Sequence, residues 1–424
     1  MRDPHVETLD RDDLERLQLQ GLRRTLARIA AANPHYHAHL GYVRPESIEC
    51  LADLQHFPLL TKEALRDGYP YGFACAQPAE FLRIHMSSGT TGRPIINPYT
   101  RADVEQWRGV MARCYVAAGV TGRDVIQITP SFGLFTGGFG FHYGAEALGA
   151  MVIPIGAGRT LLQLQLMRDL GATVLAGIAT YPLRLMEVAE AERFEWRATK
   201  LRVGIFGSEM WSDQLRRRIE DGMGIRSFDI IGMTETGGPG MGIDCEARQG
   251  IHVWEDQYLI EIVDPETGRP AADGQQGELV VTTLAREGLP LVRYRTRDLT
   301  RVVSRDRCDC GRTHLRLARL SGRCDDMIIY KGTNFYPQQI ERLLLQQEGL
   351  GHEYQIQLER DSGGGDRLTL VVEARPTFDG RAEERLRREL HDYLGLRPDL
   401  RILKEGEMER PVGKAVRVLD RRAG

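Results

Sequence analysis

Between residues 101 and 221 the sequence alternates short apolar runs with longer amphipathic segments, and this alternation limits the fold more than any other feature. Apolar runs such as 151–155, 174–178 and 201–206 have the length and composition of buried strands. Most of them are followed by a segment whose apolar residues recur at helical spacing. Strands that alternate with helices predict a largely parallel sheet covered on both faces, so we expect an α/β fold.

The chain has 424 residues, which is too long for one ordinary core, and its character changes twice. From about 251 to 322, short β segments separated by turns predict a β-rich subdomain. After Asp325, mixed helices and strands predict a compact α+β unit. We therefore expect a large N-terminal domain of mostly parallel sheets covered by helices over 1–324, and a small mobile α+β C-terminal domain over 325–424.

Composition excludes several functional classes. The formal net charge of −3 provides no basic field, which argues against nucleic acid as a partner. No apolar run approaches the length needed to span a membrane. The polar start and the odd number of cysteines, seven, are not typical of a secreted disulfide framework. We expect a cytoplasmic protein with small-molecule partners and, as an assembly, a homodimer.

Residues 87–94 combine two glycines, four hydroxyls and one cation in eight positions. The flanking segments 81–85 and 95–99 alternate like strands, so the stretch is predicted to be a loop between them. Backbone N–H groups and hydroxyls in such a loop form a cradle for phosphate oxygens, although the spacing is not that of a Walker A loop. An ordinary hairpin remains the alternative from these residues alone. The candidate phosphate ligands are Ser87, Ser88, Gly89, Thr90, Thr91, Gly92 and Arg93.

Two further polar stretches follow predicted strands. Gly207-Ser208-Glu209 comes after one strand, and residues 232–239 read Gly-Met-Thr-Glu-Thr-Gly-Gly-Pro after the next. Ligands of parallel sheets bind at the carboxyl ends of the strands. Both stretches are therefore predicted to line the same site.

These motifs occur in an order that resembles the adenylate-forming enzymes. The five segments are 87–94, 232–235, Tyr294-Arg295-Thr296-Arg297-Asp298, Gly322-Arg323-Cys324-Asp325-Asp326 and Gly413-Lys414. The aromatic turn 132–138, the segment 142–146 and the cysteine-containing segment 308–314 resemble the phenylacetate–coenzyme A ligase branch in particular. The resemblance extends over nearly the whole chain.

The resemblance implies a two-step reaction. A carboxylate attacks the α-phosphate of ATP, pyrophosphate leaves, and the thiol of coenzyme A then attacks the acyl-adenylate. The implied substrate is an aryl or arylacetic acid. Two alternatives stay open: the acceptor is instead a carrier-protein thiol or a nitrogen nucleophile, or the chain is a nucleotide-binding protein without catalysis.

The resemblance also assigns catalytic roles. Glu235 corresponds to the Mg²⁺ ligand and Thr234 to the hydroxyl at the α-phosphate, whereas a helix-capping Thr-Glu pair is the structural alternative. Lys414 corresponds to the lysine that neutralises charge between the attacking carboxylate and the α-phosphate; by default it would be one exposed cation among the 56 Lys and Arg residues. Arg93 stands where related enzymes more often have lysine, and its guanidinium has a different, forked geometry.

Further positions correspond to nucleotide contacts and to a hinge. Asp298 corresponds to the carboxylate that accepts the ribose hydroxyls, Arg323 to its cationic partner, and Asp325 to the hinge between the domains. A surface Asp298 paired with a neighbouring arginine is the alternative. Related enzymes usually have an aromatic residue where this chain has Ile231, so the stacking contact with adenine is lost. The remaining candidate nucleotide contacts are Gly207, Ser208, Glu209 and Gly232.

Three cysteines and one histidine form a second candidate set. Cys308 and Cys310 can present two thiolates to one tetrahedral metal, and Cys245 with His252 would complete a closed Cys₃His zinc site. Zinc of this kind is known in some members of the branch, and a closed site would be structural. His314 is a rival fourth ligand, and four unrelated residues are the alternative.

The pocket for the acid is predicted from aromatic residues beside the catalytic turns. Such side chains would form an apolar slot for an aromatic ring, although core packing explains each of them equally well. His142 could donate or accept a hydrogen bond at a ring substituent. The candidate pocket residues are Phe132, Phe135, Phe141, Tyr181 and Pro239.

Overall fold

The computed structural model describes residues 1–41, 44–87, 93–331, 333–360, 366–409 and 416–422. The chain forms two compact units. The first comprises Met1–Ser208 and Met223–Leu320, and the second comprises Glu209–Gly222 and Ser321–Gly424. Among the described residues, no helix has the length and apolar character needed to cross a membrane.

The first unit contains both helices and strands. Its helices are α1 (Pro4–Glu7), α2 (Arg11–Ala32), α3 (Pro34–Leu40), α4 (Lys62–Asp67), α5 (Arg101–Ala117), α6 (Gly137–Leu148), α7 (Thr160–Asp169) and α8 (Tyr181–Ala191). Its strands are β1 (Arg83–Met86), β2 (Ile96–Tyr99), β3 (Val125–Ile128), β4 (Met151–Ile153), β5 (Val174–Ile178), β6 (Val203–Gly207), β7 (Arg226–Met233), β8 (Gly238–Asp244), β9 (Ile251–Val253), β10 (Tyr258–Val263), β11 (Gly277–Thr283), β12 (Tyr294–Thr300), β13 (Val302–Ser304) and β14 (Arg316–Leu317).

The largest sheet joins nine of the described strands in the order β13-β14-β9-β8-β7-β6-β5-β3-β4. The half from β4 to β7 is parallel, as the alternation of strands and helices predicts. The half from β8 to β13 is antiparallel. The expected α/β fold is therefore confirmed, with an antiparallel extension that the sequence pattern did not indicate.

Helix α5 packs closely against α6, and this contact fixes one side of the core. Trp107, Met111 and Tyr115 of α5 are buried. At Gly144 of α6, a Cβ atom would lie 2.5 Å from the Cβ of Met111. The two helices can approach this closely only because position 144 has no side chain.

Helix α6 begins at Gly137, whereas the sequence predicts a glycine-rich turn up to 140 and a helix only from His142. Tertiary packing explains the difference, because a Cβ at Gly138 would lie 2.7 Å from the Ser131 carbonyl and one at Gly140 would lie 2.7 Å from the Trp107 ring. The glycines allow the first turn of the helix to fit in a tight space and so override their low helix propensity.

A smaller sheet includes β10, β11 and β12, which pair antiparallel. The sequence predicts one β-rich subdomain over 251–322, but β9, β13 and β14 extend the large sheet instead. Strands β1 and β2 form a separate antiparallel hairpin, in which Met86 pairs with Ile96. The hairpin confirms that strands flank the glycine-rich loop.

The second unit contains α9 (Asp213–Met223), α10 (Pro337–Leu344) and α11 (Gly380–Leu394). Met223, the last residue of α9, is counted with the first unit. Its strands are β15 (Gly322–Arg323), β16 (Ile328–Tyr330), β17 (Thr333–Phe335), β18 (Leu350–Arg360), β19 (Asp366–Ala374), β20 (Asp399–Lys404) and β21 (Val418–Asp420). A sheet of order β20-β19-β18-β21 packs with α10 and α11 around a buried apolar cluster. The expected hinge, Asp325, lies inside this unit, and its role stays a prediction.

Candidate functional site

The Thr234-Glu235 motif lies in the turn between β7 and β8 and is held in place by Asn97 of β2. Asn97 Nδ2 donates to the Thr234 carbonyl and, at 3.3 Å, to the Glu235 carbonyl. Arg286 in turn donates to Asn97 Oδ1 at 2.9 Å. This network fixes the backbone of the motif, so the side chains of Thr234 and Glu235 project from a rigid turn.

The Glu235 carboxylate faces a cation that the sequence motifs did not indicate. Lys62 Nζ lies 3.5 Å from Glu235 Oε1, and the Glu235 side chain is only 7% exposed. Hard carboxylate oxygens are the ligands that Mg²⁺ prefers. Glu235 offers such oxygens in a fixed turn, and its role as magnesium ligand stays a prediction.

Most of the glycine-rich loop, Ser88 to Gly92, lies outside the described residues, as does Lys414. At the entrance to the loop, the Ile95 N–H donates to Ser87 Oγ at 3.0 Å and the Ser87 N–H donates to the Ile95 carbonyl at 3.1 Å. The Ser87 hydroxyl thus closes the base of the hairpin. Arg93 is exposed, and its guanidinium lies 5.7 Å from the centroid of the Tyr69 ring.

The strand ends predicted to contact the nucleotide have different surroundings. A Cβ at Gly207 would lie 2.3 Å from the Ile230 carbonyl, so glycine is required there by strand pairing. Ser208 is exposed and has a positive φ of 67°, whereas Glu209 belongs to the second unit. Ile231 is buried on β7, and Gly232 follows it with a φ of 156°. Of these residues, Ser208 is the exposed one.

Asp298 lies on β12, half-buried, and its backbone N–H is bonded to the Thr296 hydroxyl at 3.0 Å. Arg295 forms an ion pair with Glu278. The Arg297 N–H donates to Glu278 Oε1 at 3.0 Å, and its Nη1 lies 3.9 Å from Glu278 Oε2. Both arginines that precede Asp298 on β12 thus contact Glu278. The role of Asp298 at the ribose stays a prediction.

In the second unit, the Arg323 guanidinium forms a bidentate ion pair with the Asp325 carboxylate. Its Nε and Nη2 donate to the two carboxylate oxygens at 2.9 and 2.8 Å. The expected ribose partner and the expected hinge residue are therefore joined by a bidentate ion pair, and movement at Asp325 would be coupled to the position of Arg323.

Aromatic side chains form a cluster beside the turn 130–137. Phe132 contacts Phe139 with ring centroids 5.4 Å apart and His142 at 5.9 Å. Phe139 stacks on Tyr143 at 6.0 Å. His142 therefore lies next to the predicted pocket residue Phe132, where it could meet a substituent of an aromatic ring.

The other predicted pocket residues do not all share this cluster. Phe141 is buried against Tyr115 in the core, and Phe135 is 50% exposed. The Pro239 carbonyl accepts a hydrogen bond from Trp107 Nε1 at 2.9 Å. Tyr181 contacts the Thr160 hydroxyl at 3.3 Å. Core packing accounts for Phe141, and Phe132 also packs against the main core besides contacting His142. The pocket roles of these residues stay a prediction.

Cys245, His252, Cys308 and Cys310 place their ligand atoms within 4.8 Å of one another. The sulfurs of Cys245 and Cys308 are 3.8 Å apart, and Cys310 Sγ lies 3.4 Å from His252 Nε2. Tetrahedral zinc, with bonds of about 2.3 Å to sulfur and about 2.0 Å to nitrogen, needs separations of roughly 3.5 to 3.8 Å. The Cys245–Cys308 and Cys310–His252 separations match these values, and all four ligand atoms lie within 4.8 Å of one another.

The surroundings of the cluster favour a cation. A hydrogen bond from the Cys245 thiol, with a further contribution from His252, lowers the pKa of Cys310 to about 2, while the same hydrogen bond and, to a smaller extent, burial raise the pKa of Cys245. One thiolate is therefore stabilised already, and thiolates are the ligands that zinc requires.

The ring nitrogens distinguish the two candidate histidines. His252 Nδ1 lies 3.3 Å from the His314 carbonyl, which directs Nε2 toward the thiols. His314 Nδ1 accepts from the Glu255 N–H at 3.1 Å, and its Nε2 lies 3.1 Å from the Val6 carbonyl. Both nitrogens of His314 are thus engaged by backbone groups, so the geometry favours His252 as the fourth ligand.

Comparison with known proteins places these motifs in one family. Residues 38–284 match the family described as AMP-binding enzyme, and residues 332–422 match the AMP-binding enzyme C-terminal domain. The chain is 40% identical to the phenylacetate–coenzyme A ligase of Escherichia coli (strain K12), over 98% of this chain and 97% of that protein. The chain belongs to the AMP-binding enzymes. Within them it groups with the phenylacetate–coenzyme A ligases, as the motif order predicted.

Other relatives agree with this assignment. The phenylacetate–coenzyme A ligase of Thermus thermophilus is 38% identical over 100% of both chains. Among solved structures, 2-hydroxyisobutyryl-CoA ligase, crystallised in the postadenylation state with 2-HIB-AMP, superposes with a TM-score of 0.90 and 28% identity, over 98% of this chain and 91% of that one. Membership confirms the predicted enzyme class, an AMP-forming acid–coenzyme A ligase.

Proposed function

We propose that this chain activates an arylacetic acid, phenylacetate being the first candidate, as its acyl-adenylate and then transfers the acyl group to coenzyme A. The observation behind this proposal is the full-length identity of about 40% to ligases named for phenylacetate. The aromatic cluster of Phe132, Phe139 and Tyr143 supports it, because aromatic rings pack edge-to-face or stacked against one another.

In the first half-reaction, a carboxylate oxygen of the acid attacks the α-phosphorus of ATP and pyrophosphate leaves. Little covalent assistance is needed, so the enzyme acts mainly by positioning and charge stabilisation. Glu235 would hold Mg²⁺, which when bound neutralises phosphate charge. Thr234 would direct its hydroxyl toward the α-phosphate, and Lys414 would neutralise the two approaching anions.

The nucleotide would be held by groups on three parts of the chain. The loop from Ser87 to Arg93 would surround the β- and γ-phosphates, and Asp298 would accept the ribose hydroxyls, with Arg323 as its cationic partner. In the second half-reaction, the sulfur of coenzyme A attacks the carbonyl carbon, the thiol proton is released and AMP leaves. The rigid turn around Glu235 supports the first step because it fixes the carboxylate before substrates arrive.

We also assign a structural zinc ion to Cys245, His252, Cys308 and Cys310. Four protein ligands leave no open position for a substrate or water, so the ion would stabilise the fold and take no part in the reaction. The cluster joins the end of β8, strand β9 and the turn between β13 and β14, which are neighbours in the antiparallel half of the large sheet.

A panel of acids tests the proposed reaction. Pyrophosphate release is measured with ATP, Mg²⁺, coenzyme A and one acid at a time: phenylacetate, 4-hydroxyphenylacetate, benzoate and 2-hydroxyisobutyrate. We expect the highest kcat/KM with an arylacetic acid and accumulation of its adenylate when coenzyme A is omitted. A preference for 2-hydroxyisobutyrate, or no turnover with any aromatic acid, would overturn the proposed substrate class.

A further inference from the structure

The ion pair between Lys62 and Glu235 lies at the position expected for magnesium. Lys62 Nζ is 3.5 Å from Glu235 Oε1, with side-chain exposures of 28% and 7% respectively. An ammonium group so close to a nearly buried carboxylate neutralises most of its charge. A divalent cation that binds the same carboxylate must therefore compete with Lys62.

Lys62 is held at this position by the backbone before it. Leu60 pairs with Tyr294 of β12, with the Leu60 N–H donating to the Arg293 carbonyl and the Arg295 N–H donating to the Leu60 carbonyl, both at 2.9 Å. The Thr61 hydroxyl then accepts from the Ala64 N–H and caps α4, whose first residue is Lys62. The backbone of Lys62 is thus anchored to the strand that also contains Asp298.

Glu235 is held from the opposite side. Asn97 bonds the carbonyls of Thr234 and Glu235, and Arg286 bonds Asn97. Both backbones are therefore fixed, and the long, partly exposed side chain of Lys62 has more freedom to change its position than the nearly buried side chain of Glu235. The nearly buried carboxylate of Glu235 thus lies beside a lysine whose backbone is anchored and whose side chain is flexible.

We propose that Lys62 neutralises Glu235 until the metal–nucleotide complex binds, and that its ammonium group then turns toward the anionic groups entering the site. This inference rests on the proposed adenylation reaction. Electrostatic repulsion between the bound divalent cation and the ammonium group would drive the change, and the phosphates and the substrate carboxylate would receive the displaced charge.

The proposal predicts opposite effects on metal affinity and on the rate of pyrophosphate release when the ammonium group is removed. Removal of the ammonium group eliminates its competition with the metal, so the metal should bind more tightly. The same removal leaves the incoming anions less neutralised, so pyrophosphate release should be slower. A residue that only stabilises the fold would not produce tighter metal binding together with slower chemistry.

The test compares Lys62→Met and Lys62→Gln with Lys62→Arg, which retains the charge, and with Lys200→Met, which removes an exposed lysine from another part of the first unit. Binding of Mn²⁺ is followed by electron paramagnetic resonance, with α,β-methylene-ATP present and no acid. We expect the two neutral variants to lower the apparent Kd for Mn²⁺ about three- to tenfold relative to the wild type. Lys200→Met, which retains Lys62, should leave the Kd unchanged, and Lys62→Arg should stay close to the wild type.

Pyrophosphate release with the best acid of the panel is the second measurement. We expect a fall in kcat of about tenfold or more in Lys62→Met and Lys62→Gln, and substantial retention in Lys62→Arg. Unchanged or weaker Mn²⁺ binding in the neutral variants would overturn the proposal, as would equal effects of Lys62→Arg and Lys62→Met. Because Mn²⁺ binding is measured without an acid, it decides the role of Lys62 even if the proposed substrate class fails.

Discussion

His85 on β1 shows how strongly a single buried group is affected by its surroundings. Its side chain is 1% exposed, and Nδ1 lies 3.2 Å from the Leu134 carbonyl. Burial, with a smaller contribution from the Arg83 guanidinium, lowers the pKa of His85 to about 4. An unfolded histidine titrates near pH 6.5, so the unfolded chain binds more protons than the folded chain between about pH 4 and 6.5. Stability is therefore lost as the pH falls through this interval.

We predict that His85→Phe removes this pH dependence. Between pH 7 and 4.5, the free energy of unfolding of the wild type should fall by about 2–3 kcal/mol more than that of the variant, because only the wild type gains a proton on unfolding. Urea unfolding followed by tryptophan fluorescence at several pH values measures the difference. His56→Phe, which replaces an exposed histidine, is the control, and parallel pH profiles for wild type and His85→Phe would contradict the prediction.

At the level of residues, the sequence allowed a role to be predicted where the functional groups are neighbours in the chain. Thr234 and Glu235 are adjacent and lie in a short motif, so their roles could be proposed without a structure. Lys62 and Asn97 could not be found in this way, because each contacts the motif across more than 130 positions of the chain. Their contacts depend on how Leu60 pairs with β12 and how β2 is placed, which no short pattern encodes.

Among the structural elements, the Cys₃His cluster connects strand β9 with the turn between β13 and β14. Strands β13 and β14 are short and lie at one edge of the large sheet. Cys308 and Cys310 are in the turn between them, whereas His252 is on β9. A metal that binds all three would fasten this edge, and binding energy of this kind adds directly to folding energy.

We predict that Cys308→Ser loses most of the zinc and lowers the Tm of the protein by several degrees. Activity with the best acid should remain near that of the wild type at 25 °C, because a closed four-ligand site does not contact substrates. Inductively coupled plasma mass spectrometry and thermal melts are the measurements. Cys50→Ser replaces an exposed cysteine and should retain zinc, and a purified wild type that contains no metal would refute the assignment.

The predictability of each element depended on its pattern. Strand β5 was predicted with the bounds that the structure has, because a buried parallel strand forms a short, continuous apolar run in the sequence. Strand β8 was missed, since its sequence Gly-Pro-Gly-Met-Gly-Ile-Asp has three glycines and a proline in seven residues. Its pairing with β7 comes from tertiary structure, which overrides the weak strand propensity of glycine.

On the scale of the whole molecule, the division into units is not continuous along the chain. The sequence predicts a boundary near Asp325, and the second compact unit does include the C-terminal part from Ser321. It also includes Glu209–Gly222, which directly follows the motif Gly207-Ser208. Within this unit Gln214 donates to the Leu345 carbonyl at 2.7 Å, a contact between distant segments that composition could not predict.

Lys414 follows β20 in the sequence and lies outside the described residues. In adenylation two anions, the carboxylate and the α-phosphate, must approach each other, so a cation there lowers the barrier. In thioester formation the thiol attacks a neutral carbonyl of the adenylate, and the same cation is not required. Lys414→Ala should therefore impair only the first half-reaction.

We expect Lys414→Ala to slow pyrophosphate release about 100-fold or more, which corresponds to roughly 3 kcal/mol of transition-state stabilisation. Thioester formation from supplied phenylacetyl-adenylate and coenzyme A should stay within about threefold of wild type. Lys404→Ala, at an exposed lysine on β20, is the matched control and should leave both rates unchanged. Equal loss of both half-reactions would show that Lys414 does not act through the charge of the attacking carboxylate, because only adenylation brings that charge to the phosphate.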